Sequence, residues 1–202
     1  MSEPTAAELA IALFHEHDGI LRTSDALRLG IDARTLYALR DAGKLERLAR
    51  GLYRLGDLLP LSSPDLVIVA RKVPRAVICL VSALAYHELT TQIPHAVDLA
   101  IESGGKRPRL TFPPLRVFWF SEPAWSEGVE VHQLDGTAVR IYGAEKSVAD
   151  AFKFRRRLGQ DLAIECLQAY RHRPGFDVDR LLHYARVCRV DRVMSPYLEA
   201  LL

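Results

Sequence analysis

Cysteine is scarce in this chain, with three among 202 residues, at positions 79, 166 and 188. An odd number, widely spaced and in apolar or helical settings, gives neither a disulfide framework nor the paired spacing of a zinc site. The expectation is buried free thiols in a cytoplasmic protein. Long apolar runs are missing too. The longest mostly apolar stretch, Ala76 to Tyr86, is interrupted by Ser82. It falls far short of the ~20 residues that span a bilayer, so no membrane partner is expected. The start of the chain carries Glu3 and Glu8 and no apolar core of signal-peptide length. Strong net charge is absent as well: +2 overall, with 26% charged and 49% hydrophobic residues, excludes a blanket polycation and fits a globular protein.

Catalytic signatures are equally thin. Ser103-Gly104-Gly105-Lys106-Arg107 has the wrong glycine spacing for a phosphate loop, and no Ser or Thr follows its lysine. There is no His-Glu-x-x-His and no nucleophile elbow. His15 and His17, two apart on a helix, point in different directions and cannot grip one metal. His87 reads as a hydrogen-bonded structural residue at a helix end. Glu145, Lys146 and Asp150 open a helix, where carboxylates complement the positive N-terminal dipole. Asp98 and Glu102 flank a strand and leave one nuclease reading open, with both as metal ligands. No carboxylate-x-lysine follows them, and residues four apart on a strand lie too far apart unless it bends. The chain is therefore read as no enzyme, with no catalytic residues, no cofactor and no metal.

What is present is concentrated in residues 19–56. Thr23 or Ser24 is placed to cap a first helix through Ala26, Leu27 and Leu29, which stops at Gly30. Ile31 packs inward, Asp32 caps a second helix, Leu36 and Leu39 supply its buried side, and Gly43 ends it. The apolar spacing then shortens around Gly51, with Arg47, Arg50 and Arg54 interleaved among leucines and Tyr53, as on a two-stranded hairpin. Helix, tight turn, helix and hairpin make a winged helix-turn-helix, a device for laying one helix in a DNA major groove. Arg34, Tyr37, Ala38 and Asp41 share the face opposite the leucines. Arg34 can reach a guanine edge or a phosphate, Thr35 and Tyr37 are hydrogen-bonding companions, and Arg40 flanks them. Thr23 and Ser24 complete the candidate contacts, with Arg47 and Arg50 on the wing. The segment holds eight Lys/Arg against four acids, the local positive potential a DNA surface needs. Asp41, an acid on the exposed face, runs against this.

The remaining pattern predicts an α+β protein. A helix over 4–17, with Ala6, Leu9, Ala10, Leu13 and Phe14 on one side, backs the winged module, and the module is assigned residues 1–58. A larger domain, 59–202, begins with a linker and a helix over 65–72 with a cap at Ser63. A β-rich stretch over 75–80 and a helix capped by Ser82 and running through Leu89 come next. Strands are predicted over 97–102, 115–120, 129–134 and 138–142, the last two around the Asp135-Gly136 hairpin signal, in a mainly antiparallel sheet. The tail is helical: one helix lined by Ala144, Val148, Ala151, Phe152 and Leu158, then helices over 162–170, 178–187 and 191–202, punctuated by Pro174-Gly175 and Pro196. Lys153, Arg155, Arg156 and Arg157 form a basic cluster. It either stays in water at a helix end or adds a DNA or partner contact.

Three segments carry a family resemblance. Gly19, Gly30, Ile31, Gly43, Leu45, Arg47, Leu48, Gly51 and Tyr53 form a pattern that resembles the winged-helix domain of AbiEi-type antitoxins. SALAYHELTTQIP at 82–94 and VRIYGAEKSVADAFKFRRRLGQDLAIE at 139–165 resemble the later signatures of that family, in the same order. The resemblance implies an antitoxin of a bacterial abortive-infection toxin–antitoxin system. Such a protein binds operator DNA with inverted repeats, represses its own operon, and counters a nucleotidyltransferase-like toxin encoded beside it. It places Arg34, Thr35, Tyr37, Arg40, Arg47 and Arg50 in the DNA-contacting roles and antitoxicity in the larger domain. A stand-alone regulator that senses a small ligand is the remaining alternative to the nuclease.

Overall fold

The computed structural model describes residues 4–201. Glu3, and Leu202 at the end of the expected last helix, lie outside the described residues. The architecture is α+β, with N-terminal helices and a small sheet, a larger sheet-containing region and a helical tail. Contacts divide the chain into two units, Met1–Lys72 with Gln133–Ala138, and Val73–His132 with Val139–Leu202. Residues 59–72 therefore cluster with the winged module, together with the turn of a later hairpin. No helix among the described residues is long and apolar enough to cross a membrane.

The first unit contains α1 (Ala6–Glu16), β1 (Ile20–Arg22), α2 (Thr23–Arg28), α3 (Ala33–Asp41), β2 (Leu45–Ala49), β3 (Leu52–Leu55) and α4 (Pro64–Lys72). A reciprocal capping box starts α1: Thr5 Oγ1 accepts the Glu8 N–H at 3.2 Å, and the Glu8 carboxylate accepts the Thr5 N–H at 2.7 Å. α1 buries Ala10 and Phe14, but Leu9, expected on the same side, is exposed. α2 also differs from expectation. Thr23 is its first residue, and neither Thr23 nor Ser24 caps it. The Thr23 N–H instead donates to the Gly51 carbonyl at 3.1 Å, because β1 delivers the chain directly onto the wing. In a helix of six residues only Ala26 turns inward, so Leu27 and Leu29 are left in solvent.

The wing is a three-stranded sheet in the order β1-β3-β2, not a bare hairpin. Ile20–Arg22 pairs antiparallel with the free edge of β3, a strand too short for alternation to reveal. Being central, β3 has all four residues buried. That includes Arg54, which the sequence pattern interleaved with Arg47 and Arg50 on a hairpin. Its guanidinium turns inward and donates to the Leu58 and Leu59 carbonyls and to Glu46.

The second unit contains β4 (Val77–Ile78), α5 (Leu80–Tyr86), β5 (Val97–Glu102), β6 (Leu115–Phe120) and, apart from their ends within Gln133–Ala138, β7 (Val129–Leu134) and β8 (Thr137–Tyr142). The helical tail follows as α6 (Ala144–Lys153), α7 (Arg155–Leu158), α8 (Gln160–Arg171), α9 (Val178–Val187) and α10 (Asp191–Leu201). The sheet order is β6-β5-β4-β8-β7. It is mixed, which corrects the mainly antiparallel expectation: β4 pairs antiparallel with β5, but β4–β8 and β5–β6 are parallel. The loop between β5 and β6, rich in glycine and proline, is long enough to return the chain for a parallel pairing.

The stretch expected to be β-rich shortens to two residues because Leu80, at φ +46°, already turns the chain into α5. Ser82 is buried inside α5 and caps nothing; its hydroxyl accepts the Asp98 N–H at 2.9 Å. Asp98 itself, reaching across from β5, accepts the Val81 N–H at 3.1 Å and satisfies the first turn. α5 ends at Tyr86, before Leu89. α6 is the central helix of this unit, packed by α5, α8, α9 and α10, and every residue from Ala144 to Phe152 is buried. Glu145, Lys146 and Asp150 thus sit in the core and do not merely decorate a helix start. Leu158 belongs to the separate turn α7, and Pro196 lies inside α10 without ending it.

Candidate nucleic-acid interface

The start of α3 is fixed by a side chain. Asp32 Oδ1 accepts the Thr35 N–H at 2.8 Å, and Oδ2 accepts the Thr35 hydroxyl at 2.7 Å. The Thr35 backbone bond, followed by the hydroxyl bond, holds the Asp32 carboxyl below its ordinary pKa. Thr35 therefore positions the helix, and its hydroxyl is already committed. Leu36 and Leu39 anchor α3 in the core with Phe14, Ile31 and Tyr53, which turns Arg34, Tyr37, Ala38 and Asp41 to solvent. Tyr37 is 43% exposed, a large aromatic with no packing reason to be outside.

The charges on this face are sorted. Arg40 holds Asp41 through Nε at 2.8 Å and Nη2 at 2.6 Å, and its guanidinium lies 5.1 Å from the centroid of the Tyr37 ring. The contrary charge of Asp41 is thereby neutralised within the helix, and Arg40 braces Tyr37. Arg34, by contrast, makes no ion pair among the described residues, and neither do Arg47 and Arg50 on the wing. Arg47 is exposed, its Nε 3.4 Å from the Ala49 carbonyl beside a bulge in the β2–β3 register. Arg50 is exposed at the tight turn where Gly51 takes φ +70°. Its carbonyl accepts Lys72 Nζ at 2.9 Å. Burial, with Arg22 nearby, pulls the Lys72 pKa down. Sequence reasoning missed Lys72 because α4 was assigned to the other domain. Ser24 is exposed, its hydroxyl 3.5 Å from Asp25, while Thr23 is half-buried against the wing turn.

The basic cluster in the second unit is mostly occupied. Arg157 lies over the Phe118 ring at 4.5 Å and Lys153 over the Phe120 ring at 5.4 Å. Arg155 Nη1 donates to the Phe152 carbonyl at 2.8 Å. Arg156 is exposed, with no hydrogen bond or ion pair among the described residues.

Asp98 and Glu102 are not brought together. Asp98 is fully buried, and Arg116 takes both oxygens, Nε on Oδ1 at 2.5 Å and Nη2 on Oδ2 at 2.7 Å. Burial raises its pKa against the opposing pull of Arg116. Glu102 is exposed and lies 3.5 Å from Arg75. A fully buried carboxylate already holding a bidentate arginine and a helix N–H is committed to structure and is not displayed to a nuclease metal.

One further cluster escaped the sequence reading. His87, Glu130 and His132 each offer a ligand atom, all within 4.8 Å of one another. Only the spacing of Glu130 and His132, two apart on β7 and hence on one face, pointed toward it.

Residues 8–56 match the family model described as "Transcriptional regulator, AbiEi antitoxin". No curated protein matches the chain. Among solved structures, the RV2827C protein from Mycobacterium tuberculosis is similar with a TM-score of 0.55 at 14% identity, over 97% of this chain and 81% of that one. That likeness is one of fold. The matched segment opens within α1 and closes just after β3, so it takes in both helices of the turn and the whole wing. Over residues 8–56, the helix-turn-helix and wing, the chain is similar to the AbiEi antitoxin family of transcriptional regulators.

Proposed function

We propose that this protein binds operator DNA through α3 and the wing, represses its own operon and neutralises a cognate nucleotidyltransferase-like toxin in the cytoplasm, with no catalysis of its own. The observation that carries the reading is Arg34, exposed and without an ion pair among the described residues, beside Tyr37 on a helix anchored from behind by Leu36 and Leu39. In the major groove Arg34 reads a guanine edge, Tyr37 and Ser24 add polar contacts, and Arg40 keeps Tyr37 in place. Arg47 and Arg50 meet phosphates, which supply affinity without sequence preference. Thr23 and Thr35 act on the duplex through the backbone they hold. The DNA-binding role belongs to residues 1–58 and the antitoxic role to 59–202, where Arg156 is the member of the basic cluster free to meet DNA or the toxin. An operator with inverted repeats takes two copies of the chain, one per half-site.

The test is fluorescence anisotropy on a duplex from upstream of the coding sequence, against a scrambled duplex of equal length. Tighter binding to the upstream duplex, repression of a reporter driven by it, and rescue of growth on co-expression with the adjacent toxin support the three parts in turn. Equal binding to both duplexes removes the operator. Plasmid incubated with the protein and Mg²⁺ or Mn²⁺ remains intact on this account, and cleavage contradicts it.

A further inference from the structure

We propose that the second unit carries a binding site for a divalent transition metal of the zinc type, with His87, Glu130 and His132 as protein ligands and a fourth position open to solvent. His87 follows α5 and is buried. Its Nε2 lies 2.8 Å from the Tyr142 carbonyl. A carbonyl can only accept, so Nε2 carries the proton and the lone pair remains on Nδ1. Metal-binding imidazoles are oriented by the same kind of bond from the nitrogen that does not ligate.

The other two ligands come from one face of β7. His132 Nε2 stands 3.1 Å from Glu130 Oε2. Two ligands at ~2.1 Å from a tetrahedral ion are about 3.4 Å apart, so this pair already has the required separation. Tyr86 packs edge-on against both imidazoles, with ring centroids 5.2 Å from His87 and 4.9 Å from His132, and fixes their planes. The space for the carboxylate is also kept clear, since a Cβ on Gly143 would stand 2.6 Å from Glu130 Oε1.

The three ligands line an open cavity of about 240 Å³, shared with Glu145, Tyr170 and Arg173, which gives a water or a small ligand access to the fourth position. Two imidazoles and one carboxylate select zinc, cobalt or nickel over magnesium and calcium, which take mostly oxygen. Two nearby arginines temper the affinity: Arg173 in the cavity wall, and Arg180, 4.0 Å from Glu130 Oε1 and 3.6 Å from Glu145. The proposal does not rest on DNA binding, and either can fail without the other.

The experiment uses the full chain, stripped with chelator, titrated with Co²⁺ and then challenged with Zn²⁺. The expected result is one Co²⁺ per chain with the visible bands of a tetrahedral site, displaced by Zn²⁺. Affinity falls at least about 10- to 100-fold in His132→Ala and in Glu130→Gln. His183→Ala, which removes an exposed pair with Glu127 and a ring contact with Tyr184 outside the proposed ligand set, binds as the parent does. His87→Ala also loses the Tyr142 bond, so the two β7 variants, checked for folding by circular dichroism, decide the matter. A spectrum of hydrated Co²⁺ alone, or equal affinity in the parent and both β7 variants, overturns the site.

Discussion

The Lys146 ammonium lies 2.6 Å from the Asp150 carboxylate one turn further along α6, and neither side chain reaches solvent. The second Asp150 oxygen accepts the Cys188 thiol at 3.1 Å, and the ammonium stands 4.0 Å from the centroid of the Tyr142 ring. Neither charge has water to fall back on. Removing one partner strands the other, at a cost of about 3–5 kcal/mol, whereas replacing both with apolar residues of similar size is close to neutral. Lys146→Met should therefore lower the urea midpoint sharply, and Lys146→Met with Asp150→Leu should recover most of the loss. A double-variant loss equal to the sum of the two single-variant losses would show that the pair is not coupled.

Acid should destabilise the second unit through His87. Desolvation lowers its pKa, opposed by the Tyr142 carbonyl and the charge of Glu130, with Arg173 and His132 acting in the same direction as burial. A histidine whose folded value is depressed contributes stability above its unfolded pKa, about 6.5. That contribution fades as pH falls through the folded value. Denaturant midpoints of metal-free protein should drop between neutral and mildly acid pH. The drop should shrink in His87→Gln, whose amide can still donate to Tyr142. An unchanged pH slope in the variant would remove His87 as its source.

The support beneath α3 can be tested apart from its exposed face. Leu36 is fully buried in the core of the winged module. Leu36→Ala should cost about 2–5 kcal/mol by denaturant unfolding and weaken DNA binding in step with the unfolded fraction. A stable variant that still loses DNA binding would mean that Leu36 acts on the duplex directly.

The wing makes a salt-dependent prediction. Arg50→Ala should weaken binding to operator and scrambled duplex alike and reduce the slope of log K against log salt by about one. An unaltered slope removes Arg50 from the phosphate contacts.

Much of this was legible in the sequence, and the failures have physical causes. Asp32, Leu36, Leu39 and the glycines after each helix announced α3 because capping and helical periodicity are local properties. β5, β6 and β7 were found at their observed bounds for the same reason. Ile20–Arg22 was missed because three residues show no alternation. The burial of Arg54 was not legible, because an arginine on a central strand looks, in sequence, like one on an edge. Ser82 and Asp98 exchanged roles: the cap of α5 comes from a different strand, which no local pattern encodes. The mixed sheet and the His87–Glu130–His132 cluster depend on which segments meet in space, so only the fold could supply them.

Arg34 is the residue through which α3 is proposed to read base sequence. The direct measurement is the ratio of affinities for operator and scrambled duplex, by anisotropy at fixed salt, in the parent and in Arg34→Ala. The account predicts that the variant loses about 1–3 kcal/mol of discrimination, mainly by weaker operator binding. A variant whose two affinities fall by the same factor, or do not fall, would contradict it.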